Sequence, residues 1–193
     1  MLAGPIPAEV LAAATRSMNV TLYRPASTDD DPLDPLEASA GALRNAGRST
    51  SPYALVPADP LAAVAARWEQ MWDLSVQPGP AAFEQEAALA LAAWRAGRFE
   101  LPDYYLVLPT DQDQIHDFYL GPLRSVRPHR VVLVPATEPA QQAAGVLHAL
   151  GSLRHGPWWP DLDQLIEAAR QFYPGSISET APVTLAGAPG RAG

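Results

Sequence analysis

The sequence predicts a three-layer α/β protein, in which a mainly parallel sheet of about four short strands is flanked by helices. Two observations carry this prediction. Four short apolar segments alternate with stretches whose apolar residues recur at helical spacing, and such alternation is typical of parallel βαβ units. The last two apolar segments are nearly continuous apolar runs, as expected for strands that are buried on both faces of a sheet.

The predicted strands resemble one another in composition and in the residues at their carboxyl ends. Each is rich in β-branched, aromatic or leucine residues and is followed by a proline, a short polar turn and an acidic residue. This local quasi-repeat is the pattern that a strand, a turn and the start of a helix would produce. The four predicted strands are Val20–Tyr23, Tyr53–Val56, Tyr104–Leu108 and Val131–Val134.

The segments between the strands are predicted to be helices because apolar residues recur every three or four positions. Two helices are expected between the second and third strands, and the first helix is expected to precede the first strand. In the helix after the third strand, Gly121 and Pro122 should interrupt or end the helix, because proline lacks the N–H that a helix needs. The predicted helices are Ala8–Ser17, Leu36–Ala46, Leu61–Trp72, Phe83–Trp94, Gln112–Ser125, Leu147–Leu153 and Leu162–Phe172.

The predicted organisation is a single α/β domain over residues 1–174, of which 25–52 include an acidic, proline-rich loop. A disordered tail is expected over 175–193, since this stretch is rich in Gly, Ala, Pro, Ser and Thr and has no large apolar periodicity. The start of the chain lacks the charged and apolar regions of a signal peptide. The expectation is therefore a cytoplasmic protein that does not enter a membrane.

Composition excludes several classes of chemistry. The chain has no Cys and no Lys, and its net charge is −8. Thiolate metal sites, Cys nucleophiles, Schiff-base lysines and phosphate-binding P-loop lysines are thereby excluded. An acidic protein is a poor ligand for a polyanion, so binding to nucleic acid is not expected. The turns after the strands carry Pro where nucleotide-binding turns carry Gly, so no nucleotide cofactor is expected either.

The densest polar cluster follows the third predicted strand. Asp111, Asp113, His116 and Asp117 lie there, and ligands of parallel α/β sheets bind beyond the carboxyl ends of the strands. Asp111, Asp113 and His116 are the catalytic candidates, as acid–base groups. All four are candidate ligands for a divalent cation, the one cofactor that the pattern leaves open.

A structural interpretation competes with that one. Acidic residues at a helix start cap free N–H groups and complement the helix dipole. Acidic residues follow several of the strands, among them Asp59, Asp111 and Glu138, while arginines tend to precede strands. Capping alone accounts for this layout, and it is the favoured interpretation.

The most unusual local feature is the pair Trp158–Trp159 between two prolines. Two adjacent tryptophans in a turn are hard to bury together, so one is expected to pack against the core and the other to be exposed. An exposed Trp is a typical anchor of a protein interface. The alternative is that both rings cover the core between two helices.

The functional prediction is a non-enzymatic protein-interaction module that contacts a partner, or a second copy of itself, through Trp158 and Trp159. The alternative is a hydrolase-type enzyme with a carboxylate and histidine site at the carboxyl ends of the strands, dependent on a divalent metal in one version.

Overall fold

The computed structural model describes residues 1–4, 6–26, 34–72, 80–108, 116–134 and 138–172, and leaves the side chain of His116 undescribed. The predicted tail and the acidic run at 29–31 lie outside these residues, so both stay predictions. Within the described part of the chain, no helix combines the length and the apolar composition that crossing a membrane requires.

The sheet is parallel at every described strand pair. One group has the order β1-β4-β5 and the other pairs β2 with β3. The N–H of Leu2 donates to the carbonyl oxygen of Val56 at 2.9 Å, which places β3 beside β1. The strands are β1 (Leu2–Ala3), β2 (Val20–Leu22), β3 (Tyr53–Leu55), β4 (Tyr105–Val107) and β5 (Val131–Leu133).

The α/β prediction is confirmed, and the four predicted strands correspond to β2–β5. The expectation that the first strand follows the first helix is wrong, because β1 precedes that helix and lies between β3 and β4. Leu2 and Ala3 are almost completely buried, and Gly4 follows them with φ 97°, a conformation that suits glycine. Two residues are too few to show the alternation by which a strand is recognised in a sequence.

Eight α-helical segments lie within the described residues, and their starts and ends follow ordinary rules. The side chain of Asp34 accepts a hydrogen bond from the N–H of Leu36 at 3.0 Å, and Pro35 occupies the first helical position. The segments are α1 (Ala8–Arg16), α2 (Pro35–Ala46), α3 (Ala62–Gln70), α4 (Pro80–Arg95), α5 (His116–Phe118), α6 (Arg124–Val126), α7 (Pro139–Gly151) and α8 (Leu162–Gln171).

Helices cover both faces of the sheet. Neighbouring residues of a strand point to opposite faces, so alternate strand residues pack against different sets of helices. Leu2, Leu55 and Leu106 belong to a core that also contains residues of α1 and α7. Tyr105 and Val107 belong to a second core, which contains residues of α2, α3, α4 and α8. The three layers of the predicted fold are therefore present.

A π-helical turn (Tyr119–Leu123) joins α5 to α6. The predicted interruption at Gly121 and Pro122 takes this form, so the α-helical pattern breaks while the chain stays helical. A wider turn accommodates a proline that has no N–H to donate. Gly121 is required for packing as well, since a Cβ there would lie 2.8 Å from the ring of Phe172.

Candidate functional site

A cavity of about 930 Å³ lies beside the carboxyl ends of β1 and β3. Its walls come from the end of β1 (2–4), the segment after β3 (57–60), the first residues of α2 and α3, and α4. Binding pockets for small molecules have volumes of about 300–1,000 Å³. The size of this cavity is therefore that of a ligand site.

The cavity lies where the chain changes direction relative to the sheet. After β1 the chain enters α1, which packs on one face, whereas after β3 it enters α3, which packs on the other. Connections that diverge in this way leave a crevice beyond the strand ends, and α/β proteins bind their ligands in such crevices.

Asp59 is the most deeply buried acidic side chain of the cavity wall. Its Oδ1 accepts hydrogen bonds from the N–H of Leu61 at 3.0 Å and from the hydroxyl of Tyr105 at 3.2 Å. Its Oδ2 accepts from the hydroxyl of Tyr119 at 2.6 Å. The residue is only 8% exposed, so three protein donors replace most of the water that a carboxylate would otherwise bind.

Burial raises the pKa of the Asp59 carboxyl, and the hydrogen bonds from Tyr119, Leu61 and Tyr105 oppose that rise. Burial and the charge of Asp59 together hold the pKa values of Tyr105 and Tyr119 well above their usual range. Removal from water destabilises the ionised form of an acid. Asp59 is therefore a carboxyl group that takes up a proton more readily than an exposed aspartate does.

The π-helical turn positions Tyr119 at the cavity. Its ring lies 5.3 Å from that of Tyr105, centroid to centroid, and both hydroxyls reach the same carboxyl group. π-helical turns frequently occur at functional sites, because the extra residue redirects the neighbouring side chains. The Gly121–Pro122 pair is the sequence signal of this turn.

A second carboxyl group with a raised pKa faces the start of α5. Glu69, on α3, accepts hydrogen bonds from the backbone N–H groups of Asp117 and Phe118. Burial raises its pKa to about 8, and the nearby charge of Asp117 adds to this rise. The charge of Glu69 in turn contributes to the raised pKa of Tyr119. The charges of both carboxyl groups, Asp59 and Glu69, therefore raise the pKa of Tyr119.

The predicted cluster after the third strand is described only in part. Asp111 and Asp113 lie outside the described residues, and of His116 only the backbone is described, as the first residue of α5. Asp117 is half-buried and lies near Glu69. Among the described residues, no three His, Asp or Glu side chains are placed to hold a metal ion. The metal and catalytic predictions for Asp111, Asp113 and His116 stay predictions.

The two tryptophans differ in the way the sequence predicts. Trp159 is buried, its Nε1 donates to the carbonyl oxygen of Pro102 at 2.7 Å, and its ring packs edge-on against Tyr105. Trp158 is 51% exposed. Its ring covers the guanidinium of Arg130 at 4.2 Å from the ring centroid. An interface through this pair would therefore rest on Trp158.

The sequence pattern identifies Asp59 only as a helix cap and does not single out Tyr105, Tyr119 or Glu69. Asp59 does act locally, since its side chain accepts a hydrogen bond from the N–H of Leu61 in the turn that leads into α3, but α3 itself has no side-chain cap. The two tyrosines are 46 and 60 residues from Asp59 along the chain, so no local spacing could connect them to it.

Comparisons of the chain with protein-family models, with curated proteins and with solved structures find no significant match. Function is therefore inferred from the geometry and chemistry of the described residues.

Proposed function

We propose that this protein binds a small organic molecule in the cavity lined by Asp59 and Tyr119, hereafter the Asp59 cavity, and that Asp59 exchanges a proton with the bound molecule. One observation carries the proposal. A carboxyl group with a raised pKa, hydrogen-bonded to two tyrosine hydroxyls, forms part of the wall of a cavity large enough for a ligand. Perturbed acids in pockets are the groups that enzymes use as acids and bases.

The position of the cavity supports the same proposal. It lies at the edge of the sheet where the sequence predicts a hydrolase-type carboxylate site, but its acid is Asp59, which follows β3. Asp59 would give or take the proton. Tyr119 would hold the Asp59 carboxyl group in position, because the Tyr119 hydroxyl donates to Oδ2 of Asp59 at 2.6 Å. The buried surroundings strengthen such interactions by excluding water.

The test is a thermal-shift screen of a small-molecule panel, followed by calorimetric titration of each compound that stabilises the protein. Asp59→Asn keeps the shape of the side chain and removes its titration, and Asp103→Asn makes the same change at an exposed acid outside this cavity. The expected result is a dissociation constant about tenfold higher in Asp59→Asn, since a hydrogen bond to a charged group contributes about 1.5–3 kcal/mol. Asp103→Asn should bind like the wild type.

Proton exchange is measured by repeating the titration in buffers of different ionisation enthalpy. The wild type should take up or release a proton on binding, and Asp59→Asn should not. Compounds that bind equally well to both variants, with no proton exchanged, would show that the cavity does not work through Asp59.

A second candidate function is self-association through Trp158, favoured by one observation. Trp158 is half-exposed and lines a separate cavity of about 740 Å³ at the amino ends of the strands. Light scattering on the wild type, Trp158→Ala and Met18→Ala tests it, because Met18 is also an exposed apolar residue but is not among the described lining residues of this cavity. A wild-type oligomer that becomes a monomer in Trp158→Ala alone would support it, and one mass for all three proteins would reject it.

A further inference from the structure

We propose that the ligand of the Asp59 cavity is an organic ammonium ion with an apolar body, an inference that rests on the ligand site proposed above. Three properties of the cavity wall favour such a ligand: its charges, the direction of its hydrogen-bonding groups and the apolar surface between them.

The charges of the described wall are mainly negative. Three carboxyl groups line the cavity, those of Asp34, Asp59 and Glu86. Arg98 is the one cationic side chain among the described lining residues, and it forms an ion pair with Glu37. A ligand that adds negative charge would meet three carboxyl groups and an arginine that is already paired, whereas a cation would be attracted to the carboxyl groups.

The amino ends of two helices reduce this negative charge without reversing it. α2 and α3 both begin at the cavity, and each helix start carries roughly half a positive charge. Acids of the wall already accept from N–H groups there, since Leu36 of α2 donates to Asp34 and Leu61, the residue before α3, donates to Asp59. Two half charges offset about one of the three carboxylates, and the Met1 ammonium, which interacts with Asp59, offsets part of another, so the described wall keeps a net negative charge.

The hydroxyl groups of the wall present acceptors. Tyr119 gives its proton to Asp59, and Ser39 gives its proton to the carbonyl oxygen of Pro35 at 2.7 Å. Each hydroxyl oxygen can then only accept a further hydrogen bond. A carboxylate group likewise only accepts hydrogen bonds. The ligand that complements such a wall is a donor, and an ammonium group offers donors and positive charge together.

Most of the remaining described wall is apolar. Alanines of α3 and α4 leave room between the helices, and Leu89 of α4 is 54% exposed at the cavity wall. An exposed leucine on the wall is covered most favourably by a hydrocarbon or aromatic part of a ligand. The alanines that line the cavity are Ala3, Ala58, Ala62, Ala63, Ala90, Ala92 and Ala93.

The experiment titrates three probes of the same body and different head group into the full chain at neutral pH. They are phenethylamine, 2-phenylethanol and 3-phenylpropanoate, which present an ammonium, a hydroxyl and a carboxylate. The amine should bind the wild type about tenfold more tightly than either of the others, as a charge-assisted hydrogen bond in a buried site requires.

Two variants locate the effect. Asp59→Asn should abolish the preference for the amine, and Asp103→Asn should preserve it. Glu86→Gln should weaken amine binding by about threefold, because a carboxylate that is only half-buried contributes less than a buried one. Circular dichroism on each variant distinguishes loss of binding from loss of fold.

The outcomes separate this inference from the proposed function. If the alcohol or the carboxylate bound as tightly as the amine or more tightly, the ammonium assignment would be wrong, while the proposed ligand site would still be supported. Binding of none of the three probes would also overturn it. The site itself fails only if the broader panel contains no compound whose binding depends on Asp59.

Discussion

Two charged side chains are almost equally buried, but they lie in different regions and have different surroundings. Asp59, 8% exposed, follows β3 at the carboxyl edge of the sheet, and Arg130, 7% exposed, precedes β5 at the amino edge. Arg130 donates through Nε, Nη1 and Nη2 to the carbonyl oxygens of Pro157, Asp103 and Gly156. Its guanidinium also lies against the rings of two aromatic residues, Tyr104 and Trp158.

Burial alone therefore does not identify a functional charge. The donors of Arg130 are directed at the backbone, and they tie the segment before β4 to the segment before α8. Among its described lining residues, the cavity at the amino edge does not include Arg130. Asp59 lies on a cavity wall and has a raised pKa. The first arrangement stabilises a fold, and the second leaves a group able to change its protonation state.

The largest expected effect belongs to the tryptophan pair at the amino edge. Trp159→Ala should destabilise the protein by about 4 kcal/mol, since it leaves a cavity in the core and an unpaired carbonyl at Pro102. Trp158→Ala should cost about 1 kcal/mol, the contribution of a cation–π contact at a half-exposed site. Urea unfolding measures both. Equal losses in the free energy of unfolding would show that the buried ring of Trp159 does not stabilise the core more than the half-exposed ring of Trp158.

A somewhat smaller loss is expected for Arg130→Met. The substitution keeps an apolar stem and leaves the carbonyls of Asp103, Gly156 and Pro157 without a donor, at a cost of about 3 kcal/mol in the free energy of unfolding. The control is Arg154→Gln, an exposed arginine nearby, which should change stability by less than about 0.5 kcal/mol. A similar loss of unfolding free energy in both variants would show that the buried Arg130 stabilises the fold no more than the exposed Arg154 does.

The smallest effect, and the one that depends on pH, is expected for Glu69→Gln on the carboxyl side of the comparison. The folded protein raises the pKa of Glu69 from 4.5 to about 8, so the folded state binds the proton more tightly than the unfolded state does. Wild-type stability should therefore fall as the pH rises from 4.5 to 8. Glu69→Gln removes the contribution of Glu69 to this dependence.

Thermal unfolding of both proteins across this pH range tests the point. The variant should match the wild type near pH 4.5 and exceed it at pH 8.5 by less than about 1 kcal/mol, because a partly exposed group is screened by water. A difference that is constant with pH would show that Glu69 does not titrate in this range.

Much of the fold can be predicted from the sequence because its signals are local. β2–β5 are recognisable by their apolar residues, and α8 by buried positions at helical spacing, such as Leu162, Leu165 and Ile166. β1 escapes the same reasoning. A strand of two residues has no detectable period, and its place between β3 and β4 is decided by hydrogen bonds to residues far along the chain.

The candidate site was less predictable than the fold, and for a physical reason. A capping acid and an acid–base group look alike in a sequence, and Asp59 does accept a local hydrogen bond from Leu61 in the turn before α3. Its raised pKa depends on burial, and its contacts depend on Tyr105 and Tyr119, which other elements carry. These are properties of packing, which local spacing does not record.

The sequence by itself determined the alternation of strands and helices, the three-layer class and the exclusion of lysine and cysteine chemistry. It also indicated that one tryptophan of the pair would be buried and the other exposed. Only the tertiary structure decided which tryptophan was which, where β1 inserts, and that Asp59 meets two tyrosine hydroxyls beside a cavity. Secondary structure depends on neighbours along the chain, whereas the environment of a charge depends on neighbours in space.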